Sequence, residues 1–184
     1  MATAPIFPER PIRRVDYEKM VEAGKFQNER VELLYGTIMP MSPVGPPHAH
    51  VVNTLAEILI RHLGDRAKVH IQSPFAASDG SEPEPDVAIV PRKRYDDAHP
   101  SKAFFLIEVA DTSLATDRGT KAKLYAESEV PEYWVVNVRD RIIEVYTEIA
   151  DGTYQHVETH HPGAGARIRL TAFPDVEIAV SDVL

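Results

Sequence analysis

Pro85-Asp86-Val87-Ala88-Ile89-Val90 and Phe104-Phe105-Leu106-Ile107-Glu108-Val109, whose acids Asp86 and Glu108 stand 22 residues apart, decide how this chain is read. Each is a short, strongly apolar run bounded by polar sequence, the pattern of a strand buried on both faces. Asp86–Val90 and Ala103–Val109 are therefore expected to be central strands. Each carries one acid, at the start of the first and near the end of the second. A carboxylate buried there without a partner is strongly disfavoured. Two carboxylates converging at one sheet edge instead make an oxygen site for a hard divalent cation. Magnesium takes one or two carboxylates and leaves its other positions to water and phosphate. The backbone carbonyl of Val109 is a further oxygen within reach of such a site.

The residues that follow offer a lysine to orient a water and balance developing charge. Thr116–Ser128 has helical character and contains Lys121 and Lys123. Lys121 shares a face with Leu124, Tyr125 and Ser128, whereas Lys123 sits about 200° further round. Lys121 is expected to point inward and Lys123 to be solvated. An i,i+4 pair between Lys121 and Asp117 on the helix surface stays open as the alternative.

Working outward, Tyr133–Arg139 and Ile142–Glu148 read as a hairpin closed by Asp140, with short strands near Tyr154–Glu158 and Arg167–Leu170. Upstream, a helix is expected over Asp16–Ala23, and Arg30–Leu34 and Thr37–Met41 read as strands turned by Tyr35-Gly36. Val51, Val52, Leu55, Ile58, Leu59 and Leu63 recur at helical spacing and end at Gly64-Asp65. His48 lies on the same inward face. Lys68–Pro74 alternates like a half-buried strand, and Ala77–Pro83 is expected to be flexible. The fold class is one α/β or α+β domain with a mixed sheet flanked by helices, spanning 1–184, with residues 1–12 as a loose arm.

Composition narrows the function. With 28 acids and 20 bases in 184 residues the net charge is −8. No apolar run approaches the ~20 residues of a membrane span. The N-terminus lacks the basic-then-apolar order of a secretory signal, and a cytoplasmic location is expected. The absence of cysteine excludes disulfides, thiolate zinc sites and cysteine nucleophiles. Residues 124–184 hold 11 acids and 4 bases, whereas 92–123 hold 7 bases and 5 acids. A nucleic-acid binder ordinarily shows a basic field, and here only Arg92-Lys93-Arg94 supplies one locally.

Asp86, Glu108 and a nearby lysine resemble the PD-(D/E)xK nuclease signature. The longer set of Glu108-Val109-Ala110-Asp111-Thr112-Ser113, Asp117-Arg118-Gly119-Thr120-Lys121, Tyr125 and Val130-Pro131-Glu132-Tyr133-Trp134-Val135-Val136 resembles the Uma-two family of putative endonucleases. Arg30-Val31-Glu32-Leu33-Leu34-Tyr35-Gly36, Met41-Ser42-Pro43 and His48 match that family's opening. The resemblance spans about residues 28–148. It implies a restriction-endonuclease-like core, Mg²⁺- or Mn²⁺-dependent phosphodiester hydrolysis on nucleic acid, DNA first, and a homodimer. Asp86 and Glu108 would be metal ligands, Lys121 the lysine of the site, and Glu32 an N-terminal acid that completes the metal shell or orients a water. The chain departs from the parent signature at Ala110, where the lysine would stand. It departs from the family at Asn137, often aspartate, and at Glu129, often glycine.

Plainer readings stand beside these. Asp86 could be a turn acid after Pro85, Glu108 an ion-paired sheet acid, and Glu32 a solvated strand acid. His48 contacts substrate phosphate or supports the site, or else caps its helix. His48 and His50 lie about 200° apart on a helix, against a joint zinc site. Tyr125 and Trp134 read as core aromatics and His160-His161 as a loop pair. Arg92 and Arg94 either contact phosphate or form a solvated cluster. A catalytically silent dimeric binding module that keeps the nuclease core is the alternative function.

Overall fold

A computed structural model describes residues 10–163 and 165–184. The apolar runs around Asp86 and Glu108 become β4 (Val87–Pro91) and β5 (Phe105–Ala110), the inner strands of a six-stranded sheet. Its order is β3 (Ala67–Ile71), β4, β5, β6 (Tyr133–Asn137), β7 (Ile142–Ala150), β8 (Thr153–His160). Only β5 and β6 run parallel; every other adjacent pair is antiparallel. A parallel pair needs a crossover, and the chain from 111 to 132 supplies it. It comprises α3 (Leu114–Thr116), a π-helical turn Asp117–Lys121, and α4 (Ala122–Glu127).

Every residue of β5 is buried, and strand alternation sends its side chains into two cores. Phe105, Ile107 and Val109 pack with Val51, Leu55, Leu59 and Leu63 of α2 (Pro46–Leu63). Leu106 and Ala110 pack with Phe75, Tyr125 and Tyr133 on the crossover side. Glu108 shares that second face. A small sheet of β9 (Arg167–Leu170) and β10 (Phe173–Ala179), followed by α5 (Val180–Val183), closes the α2 side. Neither β10 nor α5 is expected from the sequence, because Phe173-Pro174-Asp175 interrupts the alternation and the pairing bulges between Phe173 and Glu177.

At the N-terminal end, α1 (Arg14–Glu22) leads to the hairpin of β1 (Val31–Leu34) and β2 (Thr37–Pro40). Three expectations are corrected by these elements. Ile12 is tied down, its N–H donating to the Gly36 carbonyl at 2.9 Å; residues 1–9 of the expected arm lie outside the described ones. Ala77–Pro83 is not loose, since Ser78 bridges to Ser81 and Glu82 exchanges backbone hydrogen bonds with Leu33. That extra strand-like pairing ties the hairpin to the main body. His160 is likewise the last residue of β8, opposite Ile143, rather than a loop residue.

The helix expected over Thr116–Ser128 forms with a widened first turn. Its C-terminus is a Schellman cap: Glu129 N–H donates to Ala126 and Val130 N–H to Tyr125. Glu129 adopts φ +58° there, a conformation glycine takes without steric cost. Asn137 and Asp140 clasp the β6–β7 turn: the Asn137 amide donates to Asp140 Oδ2 at 2.8 Å and its Oδ1 accepts the Asp140 N–H. An aspartate at 137 could accept but not donate there.

Candidate active site

β4 and β5 pair only as far as Val87 and Ile107, so β5 runs on past the start of β4. Asp86 sits at that step. Its Oδ2 accepts the Val109 N–H at 2.9 Å, in place of the missing ladder bond. The N–H and carbonyl of one strand residue point the same way, so the Val109 carbonyl faces the Asp86 side too. Asp86 Oδ2 also meets His48 Nε2 at 3.0 Å, and Oδ1 accepts from Gln72 Nε2 at 3.1 Å. His48 occupies the first turn of α2, after the Pro46-Pro47 start. Burial opposes ionisation of Asp86, but His48, the Val109 N–H and Gln72 together hold its carboxyl below the usual range. The same hydrogen bond pushes His48 up, and the two partners agree on a charged pair.

Glu108, one residue before Val109 on β5, lines the same cleft as Asp86 and is 3% exposed. Its Oε1 accepts from Lys121 Nζ at 3.0 Å and from the Tyr125 hydroxyl at 2.6 Å. Burial drives the Glu108 carboxyl far up; Lys121 pulls it down, while Asp117, Asp86 and Glu32 push it further. Lys121 also lies 3.1 Å from Glu32 Oε2, which accepts the Glu84 N–H. Burial opposes the Lys121 charge, yet Glu108, Glu32 and Asp117 outweigh it and raise the ammonium above its ordinary value. Lys121 therefore stays charged and is poised to balance negative charge rather than to take a proton.

These groups line a cleft of about 330 Å³, walled on one side by the 39–45 segment. It brings together Glu32, His48, Asp86, Glu108 and Lys121 of the sequence-based candidates. Lys121 faces inward and Lys123 is exposed; the surface Asp117–Lys121 pair does not form, because Lys121 reaches the sheet instead. Arg92 and Arg94 are not brought in. They follow the far end of β4, about 20 Å along the strand direction from Asp86 at ~3.3 Å per residue. There Arg92 pairs with Asp65 at 2.7 Å and Arg94 with Asp96 at 2.6 Å. The expectation that this patch emerges beside the site is corrected: the strand carries the chain away from it.

Three groups in or behind the cleft escape the sequence reading. Asp117 is 1% exposed and accepts from the Ser113 hydroxyl at 2.5 Å; burial pushes it up to about 6. It stands four residues before Lys121, a spacing that marks a shared face. Tyr125, read as a core aromatic, does pack there, but its hydroxyl holds Glu108. Gln72, at φ +44° just past β3, gives no sequence signal. Asp117 and Lys121 are the two buried residues of the π-helical turn; such turns recur at functional sites.

Solved structures and family models give the frame. A putative nuclease belonging to DUF820 from Anabaena variabilis ATCC 29413 superposes with a TM-score of 0.75 at 14% identity. The match covers 94% of this chain and 97% of that one, so the fold is shared. No curated protein matches the chain. The model of the Uma2 family, described as putative restriction endonuclease, matches residues 15–181. With that match running from α1 to α5, the chain belongs to the Uma2 family.

Proposed function

We propose that this protein is a divalent-metal-dependent endonuclease that hydrolyses phosphodiester bonds of nucleic acid, DNA first, at the Asp86–Glu108–Lys121 cleft. The observation that carries this reading is the convergence of two buried carboxylates from adjacent strands on a cleft that also holds a buried, charged lysine. Family membership supports the reaction class.

The donor set fits Mg²⁺ or Mn²⁺. Asp86 and Glu108 with the Val109 carbonyl offer hard oxygens, and magnesium needs only one or two carboxylates from protein. Among the described residues no group of three or more His, Cys, Asp or Glu side chains is placed to hold a metal ion, so the proposed site rests on the two carboxylates and the Val109 carbonyl alone. An open site with room for water and phosphate is the arrangement hydrolysis requires. Six carboxylates line the cleft, from Glu32, Glu84, Asp86, Glu108, Asp111 and Asp117, against Arg30, Lys121 and His48. A bound cation would offset that excess and supply Lewis acidity toward phosphate and water.

The chain's own residues do the rest. His48, Gln72 and the Val109 N–H keep Asp86 ionised and aimed. Tyr125 and Lys121 fix one oxygen of Glu108. Glu32 shares Lys121 with Glu108 and sets the direction of the ammonium, which balances charge growing on the phosphoryl oxygens. The protein acts in the cytoplasm as a homodimer in this reading.

The second reading, a catalytically silent dimeric module, is favoured by one observation: the basic cluster at Arg92–Arg94 is spent on neighbouring acids away from the cleft. Cleavage of supercoiled plasmid, single-stranded DNA and RNA with Mg²⁺ or Mn²⁺ separates the two. Wild type should cut in a chelator-sensitive manner, and Asp86→Ala and Lys121→Ala should not. Undiminished cutting by Asp86→Ala would sink the proposed mechanism, and no cutting by wild type would favour the silent module.

A further inference from the structure

A second cavity, of about 550 Å³, lies between α1 and the 82–84 and 95–99 segments. Carboxylates of Glu18, Glu22, Glu29, Glu82, Glu84, Asp96 and Asp97 outnumber the two guanidinium groups on its wall, Arg14 and Arg30, although Asp96 is already paired with Arg94. Tyr17, Phe26 and Tyr95 add aromatic surface between the acids; the first two rings lie 5.8 Å apart.

Glu82 is what gives this acidic cavity meaning. Its backbone pairs with Leu33 in both directions, at 2.8 and 3.2 Å, which anchors it in the cavity wall. The side chain is 4% exposed, and among the described residues its Oε2 has no hydrogen-bond partner. Arg14 does not fill that role: its Nη1 stays with Glu18 at 2.5 Å and remains 3.9 Å from Glu82 Oε2. Burial, then a hydrogen bond shared with the Glu18 carboxylate and its negative charge, push Glu82 up to about 8, and Arg14 only partly offsets them. A buried acid on a cavity wall thus lacks a full cationic partner.

We propose that this cavity binds a small organic dication, an aliphatic diamine or guanidinoalkylamine, with one charged end at Glu82 and Glu18 and the other at the rim acid Asp97. The volume suits a small molecule, and aromatic faces favour ammonium and guanidinium groups. Separated acids with aromatic surface between them match two charges joined by methylenes.

The cavity also touches the cleft. Arg30 and Glu84 line both and pair at 3.2 Å. The Glu84 N–H donates to Glu32 Oε2, the same oxygen that holds Lys121. Occupancy at Glu84 therefore bears on the lysine, although the binding proposal stands apart from the nuclease reading.

Calorimetric titration of the full chain with 1,4-diaminobutane and with 4-aminobutylguanidine tests it, with Mg²⁺ and tetramethylammonium at matched ionic strength as controls. One-to-one binding with a Kd of ~1 mM or tighter is expected, weakened about tenfold or more in Glu82→Gln and in Asp97→Asn. Binding should release protons near neutral pH, because Glu82 must ionise beside Glu18, Glu84 and Arg14. No heat with either amine would overturn the proposal. So would wild-type affinity in both variants, or equal affinity for either control cation. Asp97 is exposed, so its variant keeps the test valid should Glu82→Gln fail to fold.

Discussion

Asp86 and Glu108 stand on neighbouring strands, both nearly sealed from solvent, and their surroundings push them in opposite directions. Asp86 is met by His48 and the Val109 N–H on Oδ2 and by the Gln72 amide on Oδ1, and its carboxyl is held below the usual range. Glu108 is packed against the aromatic core and depends for its charge on a single lysine. The difference teaches how a site can be stable and reactive at once. One carboxylate is a fixed anchor, and the other is an electrostatic debt that only a cation settles. Lys121 settles it in the protein alone, and a divalent ion would share that task.

The sharpest way to break the comparison is to remove the lysine. Lys121→Met should destabilise the protein by about 3–5 kcal/mol, because it strands a buried acid without its partner. Lys121→Met combined with Glu108→Gln should recover most of that loss. Urea denaturation of the two single variants and the double variant measures it, and simple additivity would show that the pair is not coupled.

Asp117 gives the next effect. Its folded value, about 6, lies above the unfolded one, so its contribution is fully present below about pH 4 and lost as pH rises through 6. Asp117→Asn should therefore stabilise the protein by about 1–2 kcal/mol at pH 8, with the gain vanishing below about pH 4. A gain independent of pH would place its cause elsewhere.

The Asp86 side should respond differently. The ion pair with His48 needs Asp86 ionised and His48 protonated. Its stabilisation belongs between the unfolded carboxylate value near 4 and the raised His48 value, and fades as pH rises past the latter. His48→Gln should cost about 1 kcal/mol near pH 5.5 and less at pH 9. A larger cost at pH 9 would contradict a charged pair. Away from both carboxylates, Glu129→Gly should add about 0.5–1 kcal/mol by relieving the left-handed residue at the α4 cap. The same change should leave metal response untouched.

What the sequence made legible follows from how local each signal is. The strands around Asp86 and Glu108 were readable because full burial demands unbroken apolar runs. The inward turn of Lys121 was readable because helical spacing alone fixes it, even across a π-helical turn. The β9–β10 pairing and the role of Gln72 were not, because they rest on a bulge and on a backbone conformation that no residue type announces. Arg92 and Arg94 misled for a plain reason: proximity in sequence to Asp86 becomes distance when the intervening residues form a strand. Tyr125 was half read, its ring as core and its hydroxyl overlooked. A phenol that packs in a core and reaches an acid carries both roles in one side chain.

The most direct test of the paired-carboxylate site is thermal unfolding with and without Mg²⁺ or Mn²⁺, in wild type, Asp86→Asn and Glu108→Gln. A cation that binds only the folded state stabilises by about 2.7 kcal/mol at a hundredfold excess over its Kd. The expected result is a metal-dependent rise in Tm for wild type that disappears in both variants. A rise of equal size in all three, or none in wild type at saturating metal, would contradict a cation site built from Asp86 and Glu108.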